Sequence, residues 1–439
     1  MTEQNRHLFG FLGTGKYKQC TYTSETFTSP RVTFAQTASA LTICHESGEA
    51  PGELDVTIFA TKEAEETHGE ALATEFAAHG LIAPDFVTIP SHFDEASIIA
   101  LFEALSDNLM TDNAVLSFDL THGFRAQPAI ALLVLDYIQA VNPTCRIEHL
   151  LYGAYQNDLD PVPLVDLIGL WQLRDWAAGF REFHRTGSVA RLGELIDARH
   201  SAHMRATEDK SALPEAMRTL GKLLNAFEDM SSINALPKLF GEQGREGIIG
   251  QLAGTASRPW ETLSLDLGRF ARPITEELER ELAPMRASDW SSVEGLRAQI
   301  AWITWLGKHD RYQQALTVAR EWATSFVSLL LAARGLDVPR EEADRIFNLL
   351  TNPVHLKDAT AIDRAVVESL GAQVPDFATG CNKLVAKRNR LNHAWMPEPG
   401  NRDDAKPKKT DIDHIIADVT SVFSSALTRF EAEDTPNNP

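Results

Sequence analysis

Three stretches of the chain bring together side chains able to bind phosphate or move a proton. The first, "FGFLGTGKYKQC" (residues 9–20), contains G-x-x-x-x-G-K from Gly10 to Lys16. A nucleotide-hydrolysing phosphate loop continues with Ser or Thr to hold magnesium and runs straight into a helix. Here Tyr17 takes the magnesium position, and the following "KQCTYTSETF" has the Thr, Tyr and Phe content of extended chain. The second stretch, "DLTHGFRAQP", sets Asp119, Thr121, His122, Gly123, Phe124 and Arg125 in one short segment. Arg125 can fork onto a phosphate, Thr121 can donate to one, and Gly123 permits close backbone approach. A turn in which Thr121 caps a helix and His122 packs accounts for the same residues. Its pairing with a Gly-rich turn favours a small phosphate-bearing ligand, held by Thr14 and Lys16 without magnesium.

The third stretch is "KLVAKRNRLNHAW", in which Arg388, Asn389 and His393 form R-N-x-x-x-H among Lys383, Lys387 and Arg390, with Lys406, Lys408 and Lys409 following. An imidazole and a guanidinium without a nearby acidic cluster suit RNA cleavage by the strand's own 2′-hydroxyl. The His moves protons and the Arg steadies charge on the phosphorus. At about 100° per residue the two side chains lie well apart around one helix. A pair of copies about a twofold axis makes a fuller site than one chain does. Arg and His close to a helix end also stabilise its free carbonyls, and Pro397 and Pro399 stop the helix just beyond. On spacing alone both readings stand, the structural one ahead.

These segments need elements to position them. Up to about residue 165, short apolar runs such as "LFGFLG", "DVTIFAT", "DFVTIP", "AVLSFDL" and "RIEHLLYG" alternate with helical stretches such as "EASIIALFEALSDNL". That alternation predicts a parallel sheet covered by helices on both faces, with ligands outside the carboxyl ends of the strands. The rule selects Gly13–Tyr17, Asp119–Arg125 and Tyr152–Tyr155, including Gly153. Beyond "DPVPLVDLIG" the strand pattern gives way to helices. A final amphipathic helix starts at Thr410, with Asp413 in capping-box spacing and Ile412, Ile415, Ile416, Val419, Val422, Phe423, Leu427 and Phe430 on one face. The predicted domains are 1–165, 166–290 and 291–439, with the second cut resting on clustered charge and Pro284.

With 61 acidic and 41 basic residues the chain carries a formal charge of -20, which opposes whole-surface nucleic-acid binding and confines it to a local basic patch. Cys20, Cys44, Cys145 and Cys381 are scattered without a C-x-x-C pair, so neither a zinc site nor a disulfide framework is expected. No secretory h-region opens the chain and no apolar run reads as membrane-spanning, which together predict a cytoplasmic protein. His200 and His203 read as surface residues, Trp302 and Trp305 as core, and "KEAEETHGE" as a solvated helix face.

"FLGTGKY" followed by "DLTHGFR" resembles the CRISPR-associated proteins of type III systems that join an N-terminal CARF sensor to a C-terminal HEPN ribonuclease. "VDLIGLWQLRDWAAGFREFHRTG" at the domain junction is similar to their pattern, whereas residues 200–290 show no resemblance. The resemblance implies a Rossmann-like CARF domain over 1–165, a helical connecting region over 166–290 and a HEPN domain over 291–439. It implies that Gly13–Tyr17 and Thr121–Arg125 line a pocket, shared by two protomers, for cyclic oligoadenylate, with the cyclic tetra-adenylate ring favoured. Arg388, Asn389 and His393 then fall on the HEPN motif of a homodimer that cleaves single-stranded RNA without a metal or other cofactor. The alternative is a sensor whose helical part binds a partner or nucleic acid without cutting. Slow breakdown of the cyclic ligand by Thr121 or Lys16 is neither required nor excluded.

Overall fold

The computed structural model describes residues 6–124, 126–156, 159–206, 212–255, 268–357, 359–392 and 408–434. Its contacts divide into two compact units, residues 1–172 and 173–439.

Among the described residues of the first unit seven strands form one sheet: β1 (Arg6–Leu12), β2 (Tyr22–Thr23), β3 (Asp55–Ala60), β4 (Asp85–Thr88), β5 (Val115–Asp119), β6 (Arg146–Gly153) and β7 (Val162–Asp166). Their order is β2-β7-β6-β5-β1-β3-β4, parallel throughout except for the β6–β7 pair. The α/β expectation is therefore met. Alternation along β1 sends Leu8 and Leu12 to one face and Phe9 and Phe11 to the other. The first face packs on α1 (Ala35–Ser47) and α2 (Lys62–Ala78) through Ala38, Ile43, Leu72 and Phe76. The second packs on α3 (Glu95–Leu109) and α4 (Ala126–Val141) through Leu101, Leu105, Val134 and Ile138. Phe9, Phe59 and Phe118 stack across adjacent strands on that face. β1 lies between β3 and β5, so the chain leaves it in opposite directions across the sheet. Such a switch point opens a crevice at the strands' carboxyl ends.

No helix follows Lys16 directly. Residues 18–34 run extended, bridged at Cys20–Val32 and Thr23–Thr28, and the next helix begins at Ala35. That geometry removes the helix N-terminus which a nucleotide-hydrolysing loop requires.

Among its described residues the second unit is helical apart from a short hairpin, Gly241–Glu242 with Arg245–Glu246. The chain enters it through α5 (Ile168–Thr186). There follow α6 (Ala190–Ala206), α7 (Ala212–Ser232), α8 (Leu236–Phe240), α9 (Ile248–Thr255), α10 (Gly268–Leu282), α11 (Val293–Lys308), α12 (Tyr312–Ala332), α13 (Arg340–Thr351), α14 (Ala361–Gln373), α15 (Pro375–Asn392) and α16 (Lys409–Asp434). One apolar cluster runs from Trp176 and Phe183 through Phe227 and Trp302 to Phe423 and Phe430. Residues on both sides of position 290 contribute to it, so the stretches 166–290 and 291–439 share a core. Trp302 and Trp305 are buried as expected, and Trp322 stacks on Phe423 with ring centroids 3.9 Å apart.

One expectation is corrected here. Helix α12 is long and apolar enough to cross a membrane by length and composition, although much of its surface is buried in the protein. Helix periodicity explains the difference: apolar residues on several faces serve a helix enclosed by neighbours as well as one in lipid. Asp413 accepts a 2.8 Å hydrogen bond from the Tyr312 hydroxyl, which places it in a contact with α12 that capping-box spacing did not anticipate.

Candidate functional site

Two of the three chemistry-bearing stretches meet at the carboxyl ends of β1 and β5. They enclose a cavity of about 290 Å³ whose wall includes Gly13, Thr14, Gly15, Lys16, Tyr17, Thr121, His122, Gly123 and Phe124. The wall also holds Leu12, Thr61 and Gln127. Thr61 sits between β3 and α2, where its side chain accepts from Ala64 N. Gln127 lies in the first turn of α4 and accepts from Phe124 N at 2.8 Å. The starts of two helices therefore border the cavity, and helix starts present unpaired N–H groups and a positive dipole end.

The glycine loop is held from inside by Tyr17. Its hydroxyl accepts from Gly13 N at 2.9 Å and lies 3.1 Å from Gly13 O, to which it donates. The Tyr17 ring packs against Phe34, His68 and His122 at centroid distances of 4.9, 4.9 and 4.7 Å. Burial pushes the Tyr17 phenol up to about 12, so it remains a neutral hydrogen-bonding strut. His68 reaches across from α2, its Nε2 2.9 Å from Gly15 O. The solvated face expected around His68 is therefore partly a support for the loop. Thr14, Gly15 and Lys16 remain exposed.

The second loop is held by Asp119. This buried carboxylate accepts from Thr121 N at 2.8 Å and from Ser39 Oγ at 2.6 Å. Asp119 shapes the turn, leaving the cavity wall to its neighbours. Thr121 Oγ1 accepts from Gly153 N at 2.8 Å, which leaves its own proton to donate. Gly153 is absent from the cavity wall and stands behind it. A Cβ there would meet Tyr22 Cε1 at 2.8 Å and Thr121 Cγ2 at 3.2 Å, so glycine lets the two loops' supports close up. Tyr155 likewise does not line the cavity. Burial lowers the His122 pKa against the opposing pull of Asp119, and its inaccessible Nε2 has no hydrogen-bond partner. Arg125 lies outside the described residues.

In the helical unit, Arg388 and Asn389 occupy the last turns of α15. Arg388 follows Phe377, Cys381 and Leu384 along the core-facing side and is half-buried, with Nε inaccessible and unpartnered. Asn389 is exposed. His393 lies outside the described residues, as do Lys406 and the loop around it. Lys409, expected in that loop, opens α16 and forms an ion pair with Asp310 at 2.6 Å.

No family model matches the chain. A CRISPR-associated protein of Methanocaldococcus jannaschii is 21% identical over 207 residues, which cover 47% of this chain. The chain resembles a CRISPR-associated protein. The resemblance carried by the loop motifs is borne out at that level. The aligned part spans 27% of that relative's own length. Among solved structures, Csm6 of Enterococcus italicus bound to cyclic hexa-2'-fluoro-hexa-dAMP aligns over 99% of this chain and 96% of its own. The TM-score is 0.47 at 10% identity, a loose likeness that sets no residue correspondence.

Thr61, His68 and Gln127 escaped the motif reading. Thr61 carried a findable signal, since it ends a predicted strand and starts a predicted helix. The partners of His68 and Gln127 are set by loop packing that periodicity does not encode.

Proposed function

We propose that the first unit is a CARF sensor for cyclic oligoadenylate and that the chain is a cytoplasmic, type III CRISPR-associated endoribonuclease switched on by that ligand. The observation that carries the reading is the convergence of Gly13–Tyr17 and Thr121–Phe124 on one cavity between the starts of α2 and α4. Free N–H groups, the exposed Lys16 ammonium and the Thr121 hydroxyl supply donors for phosphodiester oxygens. The Tyr17 strut and the absence of a helix directly after Lys16 suit holding phosphates over hydrolysing a triphosphate. Arg125 completes the donor set. The tetra-adenylate ring is the favoured activator, and two protomers contribute to its pocket.

Cleavage falls to Arg388, Asn389 and His393, paired across a homodimer. The 2′-oxygen of the substrate attacks the adjacent phosphorus and the bond to the 5′-oxygen breaks, leaving a 2′,3′-cyclic phosphate and a 5′-hydroxyl. His393 moves the proton between these oxygens, Arg388 steadies the charge that develops on the phosphorane, and Asn389 hydrogen-bonds the strand. No metal takes part in this scheme. Ligand binding biases the two copies toward the cutting arrangement, and RNA binding reciprocally favours the ligand.

The test is cleavage of a fluorescent single-stranded RNA in EDTA, with cyclic oligoadenylates of different ring size, by the wild type, Arg388→Ala and His393→Ala. Ligand-dependent cleavage that both substitutions abolish supports the reading. Ligand binding with no cleavage by the wild type would replace it with a sensor that does not cut.

A further inference from the structure

The cavity at the carboxyl ends of β1 and β5 is graded by depth. Thr14, Gly15 and Lys16 stand exposed, and among the described residues Lys16 is the one charged side chain of the wall. Thr61 and Gln127 line the buried end, at 6% and 2% exposure. Thr61 Oγ1 accepts from Ala64 N at 3.2 Å, which leaves its own proton to donate. The Gln127 carboxamide is fixed in sense. Its Oε1 accepts from Phe124 N at 2.8 Å, a contact that only the oxygen can make, so the amide nitrogen is turned away from the loop backbone. Nε2 makes no hydrogen bond among the described residues, yet it is not sealed in as His122 Nε2 and Gln36 Oε1 are. A buried amide on the cavity wall with both N–H groups unspent is a donor that lacks its acceptor.

The depth of each group decides which part of a nucleotide it can take. A phosphodiester carries a full negative charge, and moving it past Lys16 to a floor of neutral donors costs more than leaving it at the rim. The neutral part of a nucleotide is its base. An adenine ring brings bare lone pairs on N1, N3 and N7, together with an apolar face. The floor supplies the N–H and O–H donors. Phe124, half-exposed and edge-to-face with Phe93 at 5.7 Å, supplies an aromatic wall tied directly to Gln127.

We infer that Gln127 is the base-recognition residue of the sensor pocket: its Nε2 donates to a ring nitrogen of an adenine, while Lys16 holds the adjoining phosphate at the rim. The inference rests on the sensor reading above and deepens it, moving the base contact from the glycine loop to the first turn of α4. Gln127 also ties recognition to the shape of the second loop. The amide that meets the base through Nε2 holds Phe124 N through Oε1, so a seated base steadies the turn on which Thr121 and Gly123 stand.

The experiment titrates the full chain, as wild type, Gln127→Glu and Gln127→Met, with cyclic tetra- and hexa-adenylate and with their 1-deaza, 3-deaza and 7-deaza adenine analogues, in each of which a C–H replaces one ring nitrogen. Gln127→Glu keeps the acceptor for Phe124 N and loses both donors, and Gln127→Met loses acceptor and donors at similar volume. One deaza analogue should bind the wild type about threefold to tenfold more weakly than the parent ring, the worth of one neutral hydrogen bond, and that penalty should vanish in both variants. A purely structural role for Gln127 would lower the affinity for every ring alike and leave the penalty in place. Deaza analogues that all bind the wild type as tightly as the parent, or a penalty that persists in both variants, overturn the inference while the sensor reading stands. A wild type that binds neither parent ring overturns the sensor reading, and the inference with it. The comparison of analogues on the wild type needs no substitution, so it decides even where a variant fails to fold.

Discussion

Gly123→Ala isolates the geometry of the proposed ligand loop. Gly123 has φ 108°, a region where an L side chain is strained, and an added Cβ would lie 2.6 Å from Gln127 Oε1 and 3.1 Å from Phe11 Cβ. The backbone strain costs about 1–3 kcal/mol. Gln127 can swing away, but it then releases the Phe124 N–H it now accepts from, at a further cost of about 1 kcal/mol. Phe11 cannot move, because it is fully buried in the sheet between Phe59 and Phe118. The loop relieves the clash by leaving its position, so about 2–4 kcal/mol must be repaid on binding, which weakens the ligand roughly 30- to 700-fold. Isothermal titration of cyclic oligoadenylate into wild type and Gly123→Ala measures the loss directly. Circular dichroism melting separates a local effect from unfolding. Wild-type affinity in a folded Gly123→Ala protein would refute the reasoning, since the loop would then be shown not to touch the ligand.

Three further outcomes follow from the same contacts. Thr121→Val removes the acceptor for Gly153 N and should cost about 0.5–1.5 kcal/mol of stability, read from chemical denaturation, together with a measurable loss of ligand affinity. Trp322→Ala empties a fully buried site that stacks on Phe423 and donates to Leu296 O at 2.7 Å, and should destabilise the helical unit by about 3–5 kcal/mol, seen as a lowered melting temperature. Burial opposes protonation of His149, but its hydrogen bond to Asp166 at 2.8 Å and the nearby carboxylates outweigh burial and raise its pKa. A raised folded-state value contributes stability below the unfolded pKa and loses it as pH rises through the folded one. His149→Ala should therefore destabilise more at pH 5.5 than at pH 9, and equal losses at both would contradict the pairing.

The fold was legible where periodicity is strong. The runs "LFGFLG", "DVTIFAT" and "AVLSFDL" fall on β1, β3 and β5, the strands that frame the pocket. The strand-end rule selects Gly13–Tyr17 and Asp119–Arg125, of which Gly13–Tyr17 and Thr121–Phe124 line the cavity. Gly153 was picked by the same rule yet sits behind Thr121, because β6 is one strand further from the switch point. The support given by His68 was invisible, since a contact between a helix side chain and a loop carbonyl depends on how the loop folds back. In the helical unit, amphipathic spacing found the buried face of α16 but left Ile415 and Val422 undistinguished from Ile416 and Phe423. The first pair lines a groove between α15 and α16, which depends on where α15 crosses and on Gly380 at that crossing.

The central claim is that a ligand held by the sheet-end loops governs cleavage elsewhere in the chain, and the most direct test is an activation curve. RNA cleavage would be measured against cyclic oligoadenylate concentration for wild type and Lys16→Ala. Lys16 is exposed and is assigned here to the ligand's phosphate, and a lost charged hydrogen bond is worth about 1.5–3 kcal/mol. The account predicts a midpoint shifted at least tenfold to higher ligand with the wild-type plateau regained at saturation. An unmoved midpoint, or cleavage that proceeds equally without ligand, would contradict it.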